Sequence, residues 1–221
     1  RQRSSRVKQP LRQLRGYARV SLAPGQRCTV RLRLAAADLA YWDVTRGRYV
    51  VERARHTVSV GRSCTELLLS GTLSVRGESV GPRAALAAPL RATDHDEYAG
   101  TAPLPDGTHG CAVAAREPGG WIRFSGVDLD GVTGVNVRAH GSGALTLRLD
   151  DPVTGPVAAT VPLADDGGPA AWREVAGHWH GGAAGVRDLY LLFDTPGATV
   201  SWLAFGAEEA GERSAAGSGG S

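Results

Sequence analysis

Methionine does not occur anywhere in this 221-residue chain, not even at position 1. An open reading frame beginning here would carry one, so the sequence reads as a processed product or an excerpt of something longer. Lysine is almost as scarce, since Lys8 is the one lysine among 25 basic residues. Beside abundant Ala and Gly, that arginine excess looks like GC-rich codon usage, which weakens a nucleic-acid reading. Such a reading also requires a recognisable module or clustered stacking aromatics, and aromatics make up only 6% of the chain. No nucleic-acid partner is expected. Long apolar runs are missing too, none approaching the roughly 20 residues of a membrane-spanning helix, so no membrane partner is expected. Cys28, Cys64 and Cys111 form no closely spaced pair, which excludes a zinc ribbon and a thioredoxin motif. Cys28 and Cys64 lie in the same half and are able to bridge, but nothing in their spacing requires it.

What the chain does have is punctuation and a core. Gly and Pro number 30 and 12, hydrophobic residues reach 42%, and charged residues stop at 21%. That is enough apolar material for a folded interior and too little charge for a disordered or coiled-coil chain. Charge also divides the sequence. Residues 1–83 hold 17 basic and 5 acidic residues, a net of +12, whereas residues 84–221 hold 8 and 17, a net of −9. Two units with different surfaces follow from such a swing.

Both halves read as strands. Residues 28–34 (CTVRLRL) alternate with period two after the turn Ala23-Pro24-Gly25-Gln26. Residues 48–51, 56–60 and 66–75 read as further strands, and 35–43 as a place for one helical turn. The stretch 81–90 loses the alternation and reads as a linker. Beyond it, 121–124, 132–138, 144–149, 157–163, 172–176, 186–193 and 199–205 are strands at the spacing of a β-sandwich. The tail, 207–221, ends in AAGSGGS and reads as disordered.

Catalytic patterns are weak. Gly141-Ser142-Gly143 is preceded by His140 and lacks a nucleophile elbow, so a hairpin loop is the better reading. Adjacent carboxylates at Asp94/Asp96, Asp150/Asp151 and Asp165/Asp166 sit in loops, whereas glycoside hydrolysis needs two carboxyls facing across a cleft. His178 and His180 share one side of any strand and suit a metal, but no third ligand stands in register, which favours a solvated edge.

Two ordered sets of motifs carry a resemblance. Residues 8–60, through KQPLRQLRGYARVSLAPGQ, AAADLAYWD, GRYVVE and HTVSVGRS, resemble the C-terminal fibronectin type III-like domain of glycoside hydrolase family 3 enzymes, the β-glucosidases and β-xylosidases. The pattern falls on Pro10, Leu14, Gly16, Tyr17, Pro24, Gly25, Asp38, Trp42, Asp43, Tyr49 and Gly61. Glu52-Arg53-Ala54 departs from the family's Glu-Pro-Gly turn, and the resemblance places the first strands of such a domain upstream of Arg1. The nucleophile of that family lies in a Ser-Asp dipeptide, which this sequence lacks.

Residues 91–205, through ATDHDEYAG, GGWIRF, WREV, GVRDLYLLF and VSWLAF, resemble a family 6 carbohydrate-binding module, a calcium-containing jelly-roll sandwich. In those modules a sugar ring stacks on an aromatic at the loop edge and an Asn holds its hydroxyls. Trp172 matches the stacking Trp. The partner Tyr falls on Ala115, the ligand Asn on Ser201, and the metal-binding Glu on Thr93, with Asp94 beside it. Trp179, between His178 and His180, is expected to be exposed and is a replacement platform; Trp121 and Trp202 are expected in the core.

The resulting expectation is an all-β chain: a truncated fibronectin III-like sandwich over 1–80, a linker over 81–90, and a jelly-roll β-sandwich over 91–206. It implies a non-catalytic accessory region of a secreted, extracellular bacterial glycosidase. The partners are a polysaccharide or oligosaccharide, bound weakly through Trp172, Ser201 and Trp179, and the catalytic domain of the same parent chain. Structural Ca²⁺ at Asp94 is expected to be weak or lost. The rival expectation is two structural sandwiches that pack on a catalytic domain and bind nothing.

Overall fold

The computed structural model describes residues 9–106, 110–164 and 172–207. The chain separates into two units, Arg1–Gly81 and Pro82–Ser221. The expected tail lies outside the described residues, apart from Ala207.

In the first unit a single 3-10 turn, Ala36–Leu39, is anchored by the Asp38 carboxylate, which accepts the Ala35 N–H at 2.9 Å. It leads into a hairpin of β1 (Tyr41–Asp43) and β2 (Arg48–Val50). Asp43 is buried at the turn. Its carboxylate accepts the Thr45 and Arg46 N–H groups at 2.9 and 3.2 Å and pairs with the Arg46 guanidinium at 2.8 Å. This is how an Asx residue satisfies a tight reversal that no ladder bond can reach.

A second hairpin joins β3 (Ala54–Gly61) to β4 (Leu67–Val75). Its register sets Val58 opposite Gly71 and Val60 opposite Leu69, while Thr57 faces Thr72 and Ser59 faces Ser70. Opposed residues share a face, so the hairpin is apolar on one side and hydroxyl-lined on the other. Residues 28–34 do not form the expected strand. Alternation fixes which side chains share a face, but a strand exists only where its backbone pairs. No described strand pairs with this stretch, and Val30 and Leu32 stay about half exposed. Cys28, Cys64 and Cys111 are exposed and unbridged.

The second unit is a curled, twelve-stranded ladder that closes into two packed layers. Its strands are β5 (Arg83–Ala84), β6 (Leu90–Arg91), β7 (Glu97–Ala99), β8 (Thr101–Pro105), β9 (Cys111–Ala115), β10 (Gly120–Asp128), β11 (Gly134–His140), β12 (Gly143–Leu149), β13 (Val157–Leu163), β14 (Arg173–Trp179), β15 (Val186–Phe193) and β16 (Thr199–Gly206). The order is β5-β10-β15-β12-β13-β14-β11-β16-β9-β8, with β7 beside β10 and β6 beside β16. Among the described residues two register pairs, Ala159 with Trp179 and Thr160 with His178, connect the layers where β13 meets β14.

Alternation decides what lies between the layers. Ile122, Phe124, Leu145, Leu147, Leu189 and Leu191 come from one layer and Val135, Val137, Val200 and Leu203 from the other, all essentially without exposure. Parity puts Trp121 on the outer face instead of in the core, half-buried, with Tyr190 edge-on at 5.2 Å. Trp202 is likewise half-buried, beside fully buried Leu203. The period-two pattern was right; the side assigned to each Trp was not.

The stretch expected as a linker carries two strands. β5 pairs with β10 in parallel and β6 pairs with β16. Arg83 is 1% exposed and holds Asp96 through Nη2 at 3.0 and 3.1 Å. Asp96 also accepts the Ser125 N–H at 2.8 Å. A buried carboxylate needs that many donors to offset lost hydration.

Candidate functional site

At the start of β14, Trp172 is half-buried and is held from three sides. Its Nε1–H donates to the backbone oxygen of Asp106 at 3.2 Å. The Arg138 guanidinium carbon lies 4.9 Å from the ring centroid, a cation–π contact. His140 meets the ring edge-on, with centroids 4.6 Å apart and planes at 89°. Arg138 and His140 reach it together because they stand two residues apart on β11, on the outward side, with buried Ala139 between them.

Asp106 ties this cluster to Ser201. Its carboxylate, wholly buried, accepts the Ser201 hydroxyl at 3.3 Å and stands 3.5 Å from Arg138 Nη1. Its N–H donates to the Gly110 oxygen at 2.9 Å, fixing the chain end of β8. A carboxylate this deep is tolerable because a cation and a hydroxyl face it. Burial also pushes the His140 imidazole below its ordinary pKa, so a neutral ring beside Trp172 is favoured.

Two of the expected site residues are thus brought together: Trp172 and Ser201 share Asp106. Ala115, at the position of the family's second aromatic, is buried at the end of β9, beside Ala114, which pairs with Thr199. Trp179 goes elsewhere. It faces inward on β14, packs on the core, and meets Phe205 edge-on at 6.2 Å, so it is not the exposed platform expected. His178 and His180 do point outward together, rings 4.8 Å apart, with His180 Nε2 bonded to Thr160 Oγ1 at 2.9 Å. Asp106 and Arg138 had no local signal, because the side-chain contacts that place them at the site span 32 to 95 residues of sequence.

Asp94 stands at the end of a 3-10 turn, Ala92–Asp94. Burial raises its carboxyl above the usual range, and the charges of Arg83 and Arg91 oppose that rise. Hard Ca²⁺ requires six to eight oxygen donors. Here two guanidinium groups already act on Asp94, and neighbouring Asp96 is committed to Arg83 and Ser125. Among the described residues no cluster of three or more His, Cys, Asp or Glu side chains is placed to hold a metal. These residues do not fit calcium.

An indole buttressed by a cation and a neutral imidazole, with buried polar partners behind it, is a surface for an apolar ring face. It sits on a jelly-roll β-sandwich built entirely of antiparallel pairs, except for the short parallel β5 contact. The family model described as carbohydrate binding module (family 6) matches residues 91–207, more than half of the chain, and the chain belongs to that family. The model described as fibronectin type III-like domain matches residues 1–64.

Solved structures similar to the chain include CsCBM6-3 from Clostridium stercorarium in complex with cellobiose. That likeness has a TM-score of 0.53 and 24% identity, covering 58% of this chain and 98% of that one. A family 6 module from Clostridium cellulolyticum in complex with xylose gives 0.50 and 25%, covering 56% and 98%. A β-1,3-glucan binding module from Bacillus halodurans gives 0.51 and 23%, covering 57% and 99%.

Curated relatives match the first unit. Probable beta-glucosidase D of Aspergillus niger is 40% identical over 73 residues, 33% of this chain and 10% of that protein. Beta-glucosidase cel3A of Pyricularia oryzae is 36% identical over 66 residues, 30% and 9%. The chain therefore spans about a tenth of these relatives' length. They are fungal, and they lend no support to the bacterial origin expected from the sequence. The two matched domains are non-catalytic accessory modules.

Proposed function

We propose that the second unit is the weak carbohydrate-binding accessory of a secreted β-glycosidase, with Trp172 as its stacking platform. The observation that carries this reading is the fixing of Trp172: one hydrogen bond, one cation–π contact and one edge contact immobilise the indole before any ligand arrives. Preorganisation of that kind lowers the entropic cost of binding. A glycan would use the part of the ring that Arg138 does not cover, with Arg138 and His140 at its margin to orient hydroxyl groups. The benefit to a parent enzyme is a raised local concentration of substrate through a second weak site.

The affinity should be low. Ala115 supplies no second ring, and Ser201 is buried and already donates to Asp106. Those same two facts favour the other reading, a structural sandwich that has lost its ligand. A depletion assay separates them: the chain is mixed with insoluble xylan and insoluble β-glucan, and the protein left in solution is measured. Retention by either polysaccharide, removed by Trp172→Ala in a folded protein, supports binding. Full recovery in solution with every polysaccharide leaves the structural reading.

A further inference from the structure

We propose a divalent transition-metal site on the outer face of the second unit, where His178 and His180 hold an ion such as Zn²⁺ or Cu²⁺ beside the seam between the layers. The site shares no residue with Asp94 or with the Trp172 cluster. His178 lies on β14 and His180 just past its end, both exposed on one side, while the Trp179 indole between them packs on the core. Side chains two residues apart on an extended strand share a face, and here the two rings come to 4.8 Å with their planes at 81°. A metal about 2.0–2.1 Å from one nitrogen of each ring stands about 3.2 Å from each ring centroid, so rings at this separation subtend roughly 95–100° at the ion. That angle lies between the right angle of an octahedral site and the tetrahedral angle. Exposed side chains reach it by rotation alone.

The surroundings orient one ligand and leave room for the rest of the coordination shell. His180 Nε2 lies 2.9 Å from Thr160 Oγ1. With the proton on Nε2, Thr160 accepts it and Nδ1 is left as the ligand, the outer hydrogen bond that metal-binding histidines make. Thr160 belongs to β13 and stands opposite His178 in the register that joins the layers. The His180 N–H donates to the Ala158 oxygen across the same seam at 2.9 Å. On the other flank, the β11–β14 register carried one step past Val135–Gly177 sets Gly134 opposite His178. A Cβ at Gly134 would meet nothing within 4 Å, so the remaining positions of the ion stay open to water. The net charge of −9 over residues 84–221 also favours a cation. Imidazole ligands select Zn²⁺, Ni²⁺ and Cu²⁺ over Ca²⁺ or Mg²⁺, with Cu²⁺ held most tightly. Two protein ligands make the affinity modest. An ion bound to β14 and tied through Thr160 to β13 clamps the junction of the layers, and an ion that binds only the folded state stabilises it.

The test is a Zn²⁺ titration of the full chain, its three exposed cysteines capped with iodoacetamide, followed by histidine side-chain NMR and by thermal melting. It compares the parent, His178→Gln, His180→Gln, the double variant and Thr160→Val. One Zn²⁺ per chain is expected to shift the His178 and His180 rings together and to raise Tm by a few degrees at saturation. Either single His variant should weaken binding by at least about tenfold, the double variant should lose the rise in Tm, and Thr160→Val should weaken binding several-fold. Rings of His178 and His180 that do not respond at millimolar Zn²⁺ overturn the proposal. So does a response, or a rise in Tm, that persists in the folded double variant, since the ion then binds elsewhere.

Discussion

Removing the guanidinium of Arg83 is the sharpest perturbation of the second unit, because it separates a linker from a sandwich strand. Arg83→Met keeps most of the stem volume and leaves Asp96 in place, its side chain 8% exposed. Breaking a buried ion pair by deleting one partner costs about 3–5 kcal/mol, since the remaining charge stays desolvated. Asp96 keeps one donor, the Ser125 N–H, and the lost Arg83 Nε was itself buried without a partner among the described residues. Both facts place the expected loss at the lower end, about 3 kcal/mol. For a unit of this size that corresponds to a fall in Tm of roughly 10 °C. The pair with Asp96→Asn should recover most of the loss, because the double variant buries no orphan charge. Urea unfolding followed by tryptophan fluorescence is suited to the measurement, as Trp121, Trp172, Trp179 and Trp202 all report on this unit and only Trp42 on the other. A midpoint for Arg83→Met equal to that of the parent would refute the buried pair and restore a flexible linker over 81–90.

Three further outcomes follow from side-chain placement. Trp121→Ala should destabilise by about 1–2 kcal/mol, below the roughly 3–5 of a fully buried Trp, because the ring lies half-buried on the outer face against Tyr190; a loss at the upper figure would return it to the core. Burial holds the Asp94 carboxyl above its ordinary pKa, so its contribution is fully present below the unfolded value near 4 and is lost as pH rises through the folded value. Asp94→Asn should therefore match the parent at pH 3 and equal or exceed it in stability at pH 7; a variant less stable only at pH 7 would contradict the sign. Thermal melting in calcium and in chelator should coincide, and a shift of many degrees would show a site at Asp94 that binds the folded state.

Much of the second unit was legible because its long strands are apolar: β10 to β12 alternate, apart from the bulge in β10, and β13, β15 and β16 carry apolar runs with consecutive buried residues. The strands from β5 to β9 were not, for they are two to five residues long and rich in Ala and Pro, too short for a period to register. Residues 28–34 show the converse, a clear period with no partner to pair with. At the site, Trp172 and Ser201 could be placed through a resemblance, since each lies within a recognisable segment. Asp106, which binds both, could not: it lies 66 residues from one and 95 from the other, and nothing in LPD marks a buried carboxylate. Trp179 was misplaced because its flanking histidines and glycines look solvated. His178 on β14 and His180 just past its end are indeed outward, and alternation therefore sends the indole between them inward.

The central claim is that Trp172 forms the sugar-binding surface of the second unit. It is tested most directly by isothermal calorimetry of the full chain and of Trp172→Ala against xylo- and gluco-oligosaccharides, with circular dichroism to verify that the variant is folded. The account predicts weak, saturable heats for the parent and a loss of at least about tenfold in affinity for a folded Trp172→Ala, as removal of a stacking aromatic costs on the order of 1.4 kcal/mol or more. Identical isotherms for the two folded proteins would contradict it.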